Sequence, residues 1–94
     1  MLSKSIMVDD MRYCIFCGQP AEEHHVFFGT SNRKVSDKYG FVVPLCPLHH
    51  REGADSPHKN KAIRLALECW AQTIYEIKIG TREDFRAEFG KSRL

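Results

Sequence analysis

Two short runs of metal-ligand type, Cys14-Ile15-Phe16-Cys17 and Cys46-Pro47-Leu48-His49, constrain this chain more than any other feature. Each presents two ligands separated by two residues. Together they supply the three thiolates and one imidazole that a closed tetrahedral zinc takes. At 94 residues the chain can bury only a limited share of its surface, so a staple is expected, and zinc is the natural one. The fourth cysteine, Cys69, stands alone in a helical pattern, so the four do not read as two disulfides and a reducing compartment is expected. Gly18, directly after the first pair, permits the positive-φ turn that lets backbone amides face thiolates.

His50 follows the last of those ligands and is left over. It could meet His24 or His25 at a second, open metal site of the catalytic kind. His24 and His25 begin a β-branched and aromatic run, His24-His25-Val26-Phe27-Phe28, that reads as a strand ended by Gly29. Side chains alternate across a strand, so the two histidines face opposite sides and take different roles. Residues 29–40, rich in turn formers and bases, read as a crossing loop. Phe41-Val42-Val43 reads as a second strand stopped by Pro44, and Pro47 suits the first turn of a helix carrying His49, His50 and Arg51.

After the break at 53–57 and His58, an amphipathic helix is expected from about Asn60 to about Ile79. Its apolar stripe is Ile63, Leu67, Trp70, Ile74 and Ile77, which reads as core or partner-packing surface. Gly80 ends it, and Thr81 caps a short last helix through about Phe89, with Phe85 and Phe89 on one side. The tail 90–94 is expected to fray, and residues 1–12 read as a flexible lead-in followed by a short strand or turn of helix into the first cysteine pair. No repeat beyond the two half-sites and no linker is visible.

Formal net charge is +2, but its sign is uneven: residues 33–64 carry 7 basic and 3 acidic groups, against 2 and 4 in residues 1–32. The positive excess surrounds the histidines and suits a phosphate-bearing partner. Arg33, Lys34, Arg51, Lys59 and Lys61 are the candidates to hold a nucleic-acid backbone. The amino terminus lacks the apolar run of a signal peptide, and no stretch approaches membrane-spanning length, so a cytoplasmic protein without a membrane partner is expected.

The composite Cys-x-x-Cys, His-His and Pro-Leu-Cys-x-x-His-His resembles the HNH nucleases of the His-Me finger (ββα-metal) superfamily, especially small phage and prophage members with a treble-clef-like zinc site. The resembling region is residues 13–58, half the chain. The resemblance implies an α+β fold in one domain over 1–94: a zinc-stapled ββα core at 13–58, then a long amphipathic helix and a short last one in 59–94. By position it implies structural zinc on Cys14, Cys17, Cys46 and His49, His25 as general base, and His24 and His50 on a catalytic divalent ion, with His58 as a further candidate ligand. Imidazoles in place of carboxylates shift the preferred ion from Mg²⁺ toward Mn²⁺, Ni²⁺ or Zn²⁺. The family's asparagine before the second strand is missing here; Asn32 and Asp37 are the candidates to orient the loop and the base. The implied activity is hydrolysis of DNA phosphodiester bonds. The alternative is a degenerate treble-clef module that binds DNA or a protein partner without cleaving.

Overall fold

The computed structural model describes residues 4–28 and 30–94. It is a small α+β structure built on a two-stranded antiparallel sheet, β1 (Glu22–His25) and β2 (Val42–Leu45). The register pairs Glu22 with Leu45, Glu23 with Pro44, His24 with Val43 and His25 with Val42. Between the strands lies helix α1 (Thr30–Tyr39), followed after β2 by a π-helical turn (Leu48–Glu52), then α2 (Lys61–Lys78) and α3 (Arg82–Phe89).

The first strand lies earlier than the 24–28 run suggests. Val26 N–H still reaches across to Phe41 C=O at 3.0 Å. Phe27 instead turns inward, its N–H donating to Ser36 Oγ at 3.1 Å while the Ser36 hydroxyl donates to Phe27 C=O at 2.9 Å. The expected stop at Gly29 lies outside the described residues.

The expected crossing loop is a helix. Over α1, Val35 and Tyr39 pack against the core and Ser36 is fully buried between them. The apolar signal was weak because one of the three inward positions is a serine, made acceptable by its two hydrogen bonds to Phe27. Gly40 ends the helix at φ 78°, and a Cβ there would meet Lys4 C=O at 2.8 Å. Only glycine meets both conditions.

Residues 4–12 are docked rather than loose. The Ser5 hydroxyl donates to Val42 C=O at 2.6 Å and accepts from Met7 N–H at 2.9 Å, and Met7 and Met11 are buried. Residues 1–3 of the expected lead-in lie outside the described residues.

The core is largely aromatic. Phe27 contacts Phe41, Phe85 and Phe89, with ring centroids 4.4–5.7 Å apart, and Tyr75 lies 5.3 Å from Phe85. Phe85 and Phe89 share one face of α3 as expected, and Thr81 caps that helix with a reciprocal capping box to Asp84. Asn60 caps α2 through Ala62 and Ile63 N–H.

The buried stripe of α2 is rotated from the expected one. It runs through Leu67, Ala71 and Tyr75, whereas Trp70 is 37% exposed and Ile77 75% exposed. The rotation has a polar cause. Gln72, fully buried, accepts Arg93 N–H at 2.6 Å and donates to Ser92 Oγ at 3.0 Å. The tail therefore does not fray: Cys69 donates to Arg93 C=O at 3.1 Å, and the Arg93 guanidinium lies 5.2 Å from the Phe27 ring centre. No helix among the described residues is long and apolar enough to cross a membrane.

Candidate functional site

The first knuckle is a tight turn. Gly18, at φ 77°, donates its N–H back to Cys14 C=O at 2.9 Å, and Phe16 N–H donates to Cys14 Sγ at 3.4 Å. A backbone bond from Ile15 N–H to Pro44 C=O at 3.1 Å holds the knuckle against β2. Cys46 and His49 follow directly from that strand.

The four expected ligands come together, with one donor atom from each of Cys14, Cys17, Cys46 and His49 within 4.8 Å of the others. Cys17 Sγ and Cys46 Sγ are 3.6 Å apart, Cys14 Sγ and His49 Nδ1 3.6 Å, and Cys46 Sγ and His49 Nδ1 3.2 Å. The edges of a tetrahedron with metal–sulfur bonds near 2.3 Å and metal–nitrogen bonds near 2.0 Å are about 3.5 to 3.8 Å, so the donor set fits a zinc ion. Burial pushes the Cys14 thiol up, but backbone amides of Cys46, Phe16 and Cys17 outweigh it and bring its pKa down to about 7. That is a thiol prepared for ligation.

A second cluster is built only of imidazoles. His24 from β1, His50 from the π-helical turn and His58 from the following loop lie with ring centroids 5.1–5.4 Å apart, their donor atoms within 4.8 Å of one another. The π-helical turn matters here. Gly53 N–H closes it by donating to Leu48 C=O at 2.7 Å, and its adjacent histidines then serve different clusters. His49 faces the thiolates and His50 faces His24.

His24 is 1% exposed, and its Nε2 has no hydrogen-bond partner among the described residues. An orphaned buried nitrogen is costly unless it has a ligand to meet. Burial, followed by the nearby His50 and His58, lowers the His24 pKa to about 3, so the ring stays neutral and able to bind a cation. Burial also lowers that of His58, with His50, Arg51 and Arg64 adding to it. The three donor atoms are close enough together to hold a metal ion.

Glu22 completes this group, with its Oε1 2.5 Å from His50 Nδ1. Glu22 belongs to neither ligand pair in the sequence. Its only signal was strand alternation, which puts Glu22 and His24 on one face.

His25 faces the other way, as alternation requires. Its Nε2 lies 2.7 Å from Asp37 Oδ1 and 3.6 Å from Glu23 Oε2. Of the two candidates for an orienting residue, Asp37 therefore reaches the ring, whereas Asn32 is not among the residues lining the cleft. Asp37 could reach it only because residues 30–39 form a helix.

Both faces open into one cleft of about 620 Å³, rimmed by Arg33, Lys34 and Arg51. The other two expected backbone contacts stand elsewhere. Lys59 donates to Glu52 C=O at 2.9 Å, and Lys61 lines a separate pocket with Arg64 and Glu68. No family model matches the chain, no curated protein matches it, and no solved structure matches it.

Proposed function

We propose that this chain is a metal-dependent endonuclease of the HNH kind, hydrolysing phosphodiester bonds of DNA, with a structural zinc on Cys14, Cys17, Cys46 and His49. The observation that carries the proposal is the cleft itself. Three imidazoles close enough to hold a cation and a separately held histidine open into one cavity with Arg33, Lys34 and Arg51 in its lining. A purely structural zinc module needs neither.

Within the cleft the roles follow from chemistry. Arg33, Lys34 and Arg51 hold the phosphates of the backbone and position it without reading its sequence. Asp37 accepts a hydrogen bond from His25 Nε2–H, which fixes the neutral tautomer and leaves the Nδ1 lone pair free to take a proton from water. His24, His50 and His58 would hold a divalent ion, which would supply neutralisation of charge on the phosphate and the departing oxygen. His24 and His50 hold their place through burial and the Glu22 bond, so little reorganisation is needed.

The exposed Tyr13, Phe16 and Leu48 around the knuckle favour the second reading, a module that grips a partner without cleaving it. One experiment separates the two. Purified protein is incubated with plasmid and Mn²⁺ or Mg²⁺, beside His25→Ala. Loss of cleavage by roughly a hundredfold or more, with zinc content and DNA affinity kept, is the expected result. Plasmid binding without cleavage by the unaltered protein would leave the second reading standing, and normal cleavage by His25→Ala would remove His25 from its role.

A further inference from the structure

Glu23 and His25 leave β1 on the same face, and Asp37 meets them from α1. Two carboxylates thus converge on one ring nitrogen, with Asp37 Oδ1 2.7 Å and Glu23 Oε2 3.6 Å from His25 Nε2. One donor atom from each of the three lies within 4.8 Å of the others. Side-chain exposures of 12% for His25, 23% for Glu23 and 53% for Asp37 leave room for water to fill the remaining positions around an ion.

This trio differs in kind from the His24, His50 and His58 cluster. With its imidazole neutral it carries two negative charges, whereas three neutral imidazoles carry none. Carboxylate oxygens suit the harder ions such as Mg²⁺ and Mn²⁺, and imidazole nitrogens suit Ni²⁺, Cu²⁺ and Zn²⁺. The same cleft thus offers two seats of unequal hardness. Arg33, Lys34 and Arg51 line the cleft that both seats share and repel a cation at either one.

We propose that Glu23, His25 and Asp37 form a second divalent-cation site, best filled by Mn²⁺, whose occupancy disables His25. The existence of this site is independent of the nuclease reading; its inhibitory effect rests on that reading. The proton balance gives the reason. With the Asp37 carboxylate as the acceptor, His25 Nε2 carries the proton in the cation-free state, and a neutral ring then keeps its lone pair on Nδ1. An ion on Nε2 takes the place of that proton. A ring that remains neutral then holds its one proton on Nδ1, the nitrogen that has to accept a proton from water. The ion converts the base into a donor.

The test uses the full chain with its zinc in place and other metals removed by a weak chelator. His50→Ala, which removes an imidazole from the other cluster, is titrated with Mn²⁺ while the His25 ring signals are followed by NMR. Paramagnetic broadening of His25 is expected, and adding Glu23→Gln should raise the Mn²⁺ concentration required by roughly tenfold, because one charged oxygen ligand is gone. Zinc content and circular dichroism confirm that both variants are folded. No broadening of His25 at millimolar Mn²⁺, or the same broadening with and without Glu23→Gln, would overturn the site.

Cleavage supported by Ni²⁺ in the unaltered chain is expected to fall as Mn²⁺ is added, with the falling limb displaced in Glu23→Gln. A falling limb identical in the two proteins would overturn the inhibitory role while leaving the binding result intact. Absence of cleavage with any metal would defeat the nuclease reading alone, since the NMR titration decides the cation site by itself.

Discussion

His50 is oriented from outside its cluster. Glu22 Oε1 lies 2.5 Å from His50 Nδ1, so Nε2 is the nitrogen left for a cation, and a carboxylate behind an imidazole raises its basicity as a ligand. Glu22→Ala should weaken binding of the exchangeable ion by about 10- to 100-fold, measured by competition against a chromogenic chelator, with the zinc untouched. Unchanged affinity would show that the cluster orients itself through burial alone. Asp37 makes the corresponding contact with His25, so His50 and His25 each have their own acid.

Among the elements, α1, α2 and α3 are joined by one carboxylate. Glu88 accepts from Tyr39 Oη at 2.6 Å and from Tyr75 Oη at 2.6 Å, with Lys38 Nζ at 3.5 Å. Burial pushes the Glu88 carboxyl up, but the two tyrosine hydroxyls and Lys38 outweigh it, and its pKa falls below the ordinary value. A depressed carboxylate pKa means that the unfolded chain binds the proton more readily. This stabilisation is therefore present above the ordinary glutamate range, near pH 4.5, and is lost as pH falls through the lower folded value. Glu88→Ala should cost about 2 to 4 kcal/mol in urea unfolding at pH 7, since two phenols lose a charged acceptor. Glu88→Gln should flatten the acid limb of the stability profile, and a profile parallel to that of the unaltered protein would refute the assignment.

At the scale of the whole molecule, the Cys14, Cys17, Cys46 and His49 cluster joins the amino-terminal knuckle to the sheet and to the turn that carries His50. Metal binding there would be folding free energy, because the donors are scattered in the unfolded chain. Elemental analysis should find about one tightly held zinc per chain, and a strong chelator should unfold it, read as loss of the far-ultraviolet dichroism. A chain that stays folded and metal-free would show that the aromatic core of Phe27, Phe41, Phe85 and Phe89 suffices. An exchangeable ion on His24, His50 and His58 should wash out before the zinc. Mn²⁺ or Ni²⁺ should then refill that seat at lower concentration than Mg²⁺.

The metal-ligand pairs were legible from spacing alone, because Cys-x-x-Cys and Cys-x-x-His place their donors within one turn of backbone wherever the turn is set. The opposed faces of His24 and His25 were legible for the same local reason, the two-residue period of a strand. The Thr81 cap of the last helix also acts within a few residues of itself. What tertiary structure decided is what depends on distant partners. Residues 30–39 became a helix because Ser36 found Phe27, and α2 turned its Leu67, Ala71 and Tyr75 face inward because Gln72 holds the tail and Tyr75 meets Glu88. Glu22, Glu23 and Asp37 gained their places beside the histidines in the same way. A polar side chain advertises no periodicity, and its burial becomes favourable only when the fold brings a partner to it.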